Sequence, residues 1–536
     1  MARPSPVKSG IALLVGVFAL VAPLAAIADH QDGDAYVQPT LLQAARERPA
    51  GVFPVIVQAS DGTATAQVAD EVSKRLDDNS TSADMLTGRF ESVTGVSAQL
   101  TGEQIIDLAK DGDIEAITRD VPMVAAQRVQ VGDQVGELTS WIKATRLDQA
   151  RRTTRAPLPT IAVVDSGIDA ARTDFGNRVV GQISLTRLQP NANGDGRGHG
   201  TFVAGLAAGR NGGAPGARIV SLDVMDDQGK AMTSDVIAAA DWLLQNKDRY
   251  GIRVANFSLH SSRPSSFRTD PLDRAVERLW FAGVVVVTSA GNYAKEGAAS
   301  GVPFAPANDP FVLTVGAADL GERVGAEDDS NAPWSAHGRT PDGFHKPDIG
   351  APGRRLVGPV PAAASLLLER PDRAVPPASM RLSGTSFAAP VVSAAVAFVL
   401  AAHPEWTPDE VKGALMISAE SAGNAVAGSL GVGSLDAWGA ERVSKAPNPN
   451  RALNRFLITD PAGSAYPVFD AASWDSAAKA DASWDSASWA DIAWTDASWE
   501  SASWADAAWS DASWADASRA DASWADASWA DAAWVD

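Results

Sequence analysis

Three residues of this chain have the types that acyl transfer needs: a hydroxyl to attack, an imidazole to move the proton, and a carboxylate to hold the imidazole. Ser386 lies in Leu382-Ser383-Gly384-Thr385-Ser386-Phe387-Ala388-Ala389-Pro390 and precedes the run Val391 to Leu400, apolar on all sides. Such a run reads as a buried helix, which puts Ser386 at its N-terminus. Unpaired N–H groups and the positive dipole end favour negative charge there, and an alkoxide or an oxyanion is such a charge. His199 stands between Gly198 and Gly200 at the head of Thr201-Phe202-Val203-Ala204-Gly205, and Asp165 follows Ile161-Ala162-Val163-Val164. Singly, each has a plainer reading. Serine is a preferred helix cap, a histidine in a glycine run is commonly a loop residue, and an aspartate at a strand end is commonly a turn residue.

The elements around these residues form a pattern. Apolar strands are expected at 161–164, 218–222, 254–258, 284–287 and 312–315, alternating with helices. That alternation predicts an α/β fold with a doubly wound, mainly parallel sheet. Ligands bind such sheets outside the carboxyl ends of the strands. Asp165 ends the first strand, Asn256 and Ser258 end the third, and the fourth runs into Ser289-Ala290-Gly291-Asn292. Upstream, residues 35 to about 127 read as a small α+β unit. It has a strand at 54–58, a helix at 64–76 with Val68, Val72 and Leu76 on one face, and strand-like alternation over 90–100. Thr101 and Gln104 have capping-box spacing at the start of a second helix, and Ile114 to Ile117 is a last strand. Nothing in this unit points to chemistry.

Composition bounds the function. The 536 residues are 45% hydrophobic, enough for two or three domains with a large core. A formal net charge of −20 argues against nucleic acid as partner. The absence of cysteine excludes disulfides and thiolate metal sites. Arg3 and Lys8, the apolar run Ile11 to Ala22 and then Ala26-Ile27-Ala28 read as a secretory signal peptide cut after Ala28. From Trp474 onward tryptophan recurs every five residues, with Lys479 and Arg519 at the two skipped positions. Residues 473–536 hold 12 Asp and 1 Glu against 1 Lys and 1 Arg, a charge of −11. A period of five keeps to neither a helix face nor a strand face. A disordered acidic tail, a five-residue solenoid and an aromatic strip for sugars or the cell envelope all remain as readings.

Asp165, His199 and Ser386, in these frames and this order, resemble the subtilisin-like serine proteases. The likeness runs from about Ile142 to Trp438 and includes Ser289-Ala290-Gly291-Asn292, Pro306-Ala307 and Lys346-Pro347-Asp348-Ile349-Gly350-Ala351-Pro352-Gly353. The upstream unit resembles that family's inhibitory propeptide. The resemblance implies that Ser386 is the nucleophile, His199 the general base and Asp165 its orienting carboxylate. It implies that Asn292 and the Ser386 N–H stabilise the oxyanion. Ser258, Leu259 and His260 would pair with the substrate backbone, and Ser289, Ala290 and Gly291 would wall the pocket before the scissile bond. His260 departs from the family's usual glycine, which implies either a narrowed or pH-sensitive subsite or an ordinary loop histidine. Asp174 falls where the family often holds calcium, but the loop Gly209-Arg210-Asn211-Gly212-Gly213 is short. No cofactor or metal site is therefore expected to be required, with calcium kept as the alternative. Arg354 to Leu382 reads as a lid or a surface excursion.

The expectation is a secreted, autoprocessed serine endopeptidase. Residues 1–28 would be the signal peptide, 29–127 the propeptide, 128–445 the catalytic domain, 446–472 a linker and 473–536 the repeat tail. Its expected partners are protein or peptide substrates, its own propeptide as inhibitor, and through the tail a cell envelope or polysaccharide. The alternative is a catalytically silent peptide-binding or envelope-attached protein whose tail is the main functional part.

Overall fold

The structure is a computed structural model and describes residues 35–60, 62–76, 86–125, 140–323 and 325–480. The signal-peptide segment 1–28, the cleavage region beyond Ala125 and the repeats from 481 onward lie outside the described residues.

The N-terminal unit is a five-stranded sheet in the order β1 (Tyr36–Val37), β5 (Ile114–Arg119), β2 (Val52–Ala59), β4 (Gly95–Thr101), β3 (Leu86–Phe90). Helices Pro39–Glu47, Thr65–Leu76 and Gly102–Leu108 accompany it. Val68 and Val72 of the second helix are buried against Val55, Val57 and Leu100 in a core of the unit's own. Thr101 accepts from the Gln104 N–H and the Gln104 side chain accepts from the Thr101 N–H, the capping box its spacing predicts. The alternation over 90–100 corresponds to two strands rather than one. The chain turns at Glu91–Thr94, with Thr94 at φ 45°. Gly95 then admits close approach, since a Cβ there would come within 2.3 Å of the Val57 carbonyl oxygen.

One further strand, β6 (Pro122–Ala125), leaves the N-terminal unit and enters the larger domain. The main sheet of that domain consists of β7 (Thr160–Asp165), β8 (Val179–Ser184), β9 (Ile219–Asp223), β11 (Ile252–Phe257), β13 (Val285–Ser289), β14 (Leu313–Asp319) and β15 (Ser330–Asn331). Their order is β15-β14-β13-β11-β7-β9-β8, with Ile349–Pro352 also paired to β14. All these pairings are parallel except β14 with the short β15. Strands β7, β9, β11, β13 and β14 are buried on both faces, as the unbroken apolar runs require, whereas the edge strand β8 is only partly buried. Two short strands, β10 (Lys230–Met232) and β12 (Leu259–Ser261), stand apart from this sheet and take β6 between them, antiparallel to both. In this sheet Ala125 faces Leu259, Val124 faces His260 and Met123 faces Ser261.

The stretch 446–480 lies on the domain. It carries a one-turn helix at Leu453–Phe456, a strand pair Leu457–Ile458 with Val468–Phe469, and the helix Ala471–Ala480. Trp474, the first of the periodic tryptophans, is 2% exposed in the domain's main core cluster. Arg354–Leu382 forms a small three-stranded sheet with the helix Ser365–Glu369. It packs on the loop before His199, where Ser365 and Leu366 donate N–H bonds to the carbonyls of Gly196 and Arg197.

Candidate active site

Asp165 is the last residue of β7, and His199 opens the helix His199–Ala208. The glycine after His199 lets that helix press on the strand end, since a Cβ on Gly200 would come within 2.1 Å of the Gly167 carbonyl oxygen. The His199 Nδ1 lies 2.7 Å from Asp165 Oδ1, and both side chains are buried. A carboxylate accepts, so Nδ1 carries the proton and Nε2 is left as the basic nitrogen. That Nε2 is buried and has no hydrogen-bond partner.

A second carboxylate ties the two elements together, and the sequence reading did not single it out. Asp195 Oδ1 accepts from the Gly198 N–H at 2.6 Å and from the Ser166 hydroxyl at 2.8 Å, and its Oδ2 accepts from the Thr201 N–H at 2.7 Å. Ser166 Oγ in turn accepts from the Gly200 N–H at 3.0 Å. Asp195 thus caps the histidine helix and links it to the residue after Asp165. Burial pushes its pKa up to about 6 against the pull of these donors. The legible signal was an acidic residue shortly ahead of a helix start.

Ser386 sits in the first turn of the helix Thr385–Ala402, where its N–H has no intrahelical acceptor. Pro390 lies inside that helix. It has no N–H, so the Ser386 carbonyl loses its partner four residues on. The Ser258 hydroxyl takes that place and donates to the Ser386 carbonyl at 2.8 Å. The Ser386 hydroxyl returns the bond to the Ser258 carbonyl at 2.9 Å. Behind this pair, Asn256 Nδ2 donates to Ser258 Oγ and Asn256 Oδ1 accepts from the Ser393 hydroxyl. The helix of Ser386 is thereby bolted to the strand that leads into β12.

Asn292 Oδ1 accepts from the Thr385 N–H at 2.9 Å and from its hydroxyl at 3.1 Å. Thr385 Oγ1 also accepts from the Gly291 N–H at 3.0 Å. This fixes the amide orientation and leaves Asn292 Nδ2 buried and unpartnered on a side chain held to Thr385, the residue before Ser386. Such a donor is costly to bury unless something charged arrives to accept from it. Ser289, Ala290 and Gly291 are buried just ahead of it.

The Asp174 carboxylate is paired with Arg172 at 2.9 Å. Among the described residues no group of three His, Cys, Asp or Glu side chains could hold a metal.

Residues 158–433, just over half of the chain, match the subtilase family. Serine protease AprX of Bacillus subtilis (strain 168) is 34% identical over 267 residues, covering 47% of this chain and 59% of the relative. Subtilisin E of Bacillus subtilis (strain 168) is 29% identical over 343 residues, covering 63% of this chain and 78% of the relative. Fervidolysin from Fervidobacterium pennivorans, described as a keratinolytic enzyme related to subtilisin, shares the fold with a TM-score of 0.57 at 21% identity. That superposition covers 75% of this chain and 62% of fervidolysin. With an aspartate–histidine pair at two element ends and a serine at a helix start beside an unpartnered amide, the chain belongs to the subtilase family of serine endopeptidases.

Proposed function

We propose that the chain is a secreted serine endopeptidase, made with an N-terminal inhibitory unit that it removes by its own chemistry. The observation that carries this reading is β6. A strand of the N-terminal unit is the middle strand between β10 and β12, the position that an extended substrate would take. Ala125, the last described residue of β6, faces Leu259, and the carbonyl of the preceding Ser258 holds the Ser386 hydroxyl. Cleavage is therefore expected just beyond Ala125.

Ser386 Oγ attacks the carbonyl carbon of the scissile bond, and its proton passes to His199 Nε2. For this the hydroxyl turns away from the Ser258 carbonyl, which then accepts an N–H from the substrate backbone. The oxyanion accepts from Asn292 Nδ2 and the Ser386 N–H. His199 returns the proton to the leaving amine, giving an acyl-enzyme, and a water repeats the sequence in reverse roles. Asp165 holds the imidazole and stabilises its cation. The cut N-terminal unit then stays in the cleft as a bound product until it is removed. Secretion rests on the signal-peptide reading of residues 1–28, and surface attachment rests on the Trp-rich repeats.

Purified Ser386→Ala protein from a host lacking other proteases should remain an uncut precursor without peptidase activity. Processed, active Ser386→Ala protein would refute the assignment and favour the silent binding protein. Asn292→Ala should lower kcat by about 10²–10³ with KM little changed, the range known for this donor in subtilisin itself. A loss confined to KM would give Asn292 another role.

A further inference from the structure

We propose that His260, Tyr293 and Phe304 close the floor of the pocket for the side chain just before the scissile bond and restrict it to alanine-sized residues. The proposal rests on the proteolytic reading above.

His260 projects from β12, one wall of the cleft, and is half-buried. Tyr293 follows Asn292 on the opposite wall, and its ring folds back on that wall. A Cβ on Gly291 would come within 2.2 Å of a Tyr293 ring carbon, and the Tyr293 hydroxyl donates to the Ala290 carbonyl at 3.2 Å. The two rings meet edge to face with centroids 5.9 Å apart. Phe304 completes the triangle, 5.3 Å from His260 and 5.0 Å from Tyr293. Rings at such separations are in contact, so no further ring fits between the walls. Tyr293 packs against a separate small buried cluster of Ala290, Val302, Ala307 and Ala336.

The histidine ring is also fixed in place. Its Nδ1 lies 2.8 Å from the Ser261 carbonyl oxygen, which makes Nδ1 a donor. Burial holds the imidazole below its ordinary pKa, so the ring is neutral at physiological pH and offers a weakly polar surface rather than a charge.

The test is a series of peptides that differ only at the residue before the cleaved bond, cleaved by the self-processed chain. Alanine should exceed phenylalanine in kcat/KM by about 100-fold, the scale on which a pocket discriminates by size. His260→Gly should narrow that ratio to within about tenfold by raising the phenylalanine value. Cleavage after phenylalanine as fast as after alanine by the native chain would overturn the proposal. So would an active His260→Gly chain with an unchanged ratio. Should His260→Gly not fold, the native ratio decides alone. A native chain that cleaves no peptide would instead refute the proteolytic reading itself.

Discussion

Arg278, on the helix Pro271–Phe281, is where the two flanking segments of the chain meet. Its guanidinium donates to the Ser92 carbonyl of the N-terminal unit and to the Tyr466 carbonyl of the C-terminal segment, and it pairs with Asp460 at 2.6 Å. Beyond that shared anchor the segments hold on differently. The N-terminal unit brings its own core and touches the domain largely through carboxylates and backbone. Asp241 of the domain accepts from the Glu91 and Ser92 N–H groups at 2.8 and 2.7 Å. Asp120 of the unit returns the favour, accepting from the Ser234 N–H and hydroxyl at the start of the helix Thr233–Tyr250. Only a few apolar side chains, Ile56, Phe90, Val93 and Met123, join the domain's core. Among the described residues the C-terminal segment has no core cluster of its own. Leu453 and Trp474 are part of the domain's, and the Trp474 ring lies 5.4 Å from Phe267 and 5.8 Å from Phe344. A segment that owns its core can leave intact, whereas one that borrows its neighbour's cannot.

The largest effect should come from cutting the chain in two places. Ending it after Asn450 removes Trp474 and strands the buried charge of Arg278. Either loss alone typically costs about 3–5 kcal/mol. Ending it after Ala480 should leave the melting temperature unchanged within about 2 °C. Thermal unfolding of both truncations in a Ser386→Ala background, where autolysis is absent, measures this. Equal stability of the two would mean that the segment is a mere linker.

The point substitution Trp474→Ala should cost about 3–5 kcal/mol in the same assay, and Trp474→Phe distinctly less. Asp241→Ala should act on the other flank. It leaves two backbone N–H groups of the N-terminal unit unpaired, at a cost of about 1–3 kcal/mol. The cut unit should then dissociate about 10- to 100-fold more readily, with the domain's own stability little changed. A variant that lost domain stability instead would show that the two flanks are not separable in the way argued.

Much of this division was legible in the residues, and the rest failed for identifiable reasons. Five strands of the main sheet, β7, β9, β11, β13 and β14, stand where unbroken apolar runs place them, because burial on both faces leaves a local signature, while the half-exposed edge strand β8 has no such run and was not expected. The paired Asp165 and His199 are marked by the apolar run and the glycines that their close approach needs. By contrast β6 is four residues whose partners, β10 and β12, lie over a hundred residues away, so no local pattern announces it. Trp474 looks like the ten tryptophans after it. Its burial depends on Phe267, Phe344 and Phe469, which only the fold assembles. The Ser258–Ser386 exchange was hidden for the same reason, although Pro390 had already deprived one carbonyl of its partner.

The smallest effect sharpens the comparison through pH. Burial raises the pKa values of Asp120 and Asp241 above the ordinary carboxylate range, against the pull of their hydrogen-bond donors. Asp235 beside them is pushed up to about 6, first by burial, with Arg187 opposing and Asp120 adding to the rise. Glu91 adds negative charge next to Asp241. Once the unit leaves, water reaches these carboxylates and their pKa values should fall toward about 3.9. The bound state therefore holds more protons than the separated state between about pH 4 and pH 6. Linkage then requires the affinity to be greatest at the acidic end, to fall as pH rises through that window, and to level off above it. His260 also faces β6, but its lowered pKa arises from a setting that includes Tyr293 and Phe304, which stay with the domain. Dissociation of the N-terminal unit from a Ser386→Ala domain assembled from two chains, followed between pH 4.5 and pH 8, measures the slope. An affinity for the unit that rises with pH would mean that the carboxylates bind better charged than protonated, and that the donors around Asp120 and Asp241 outweigh their burial.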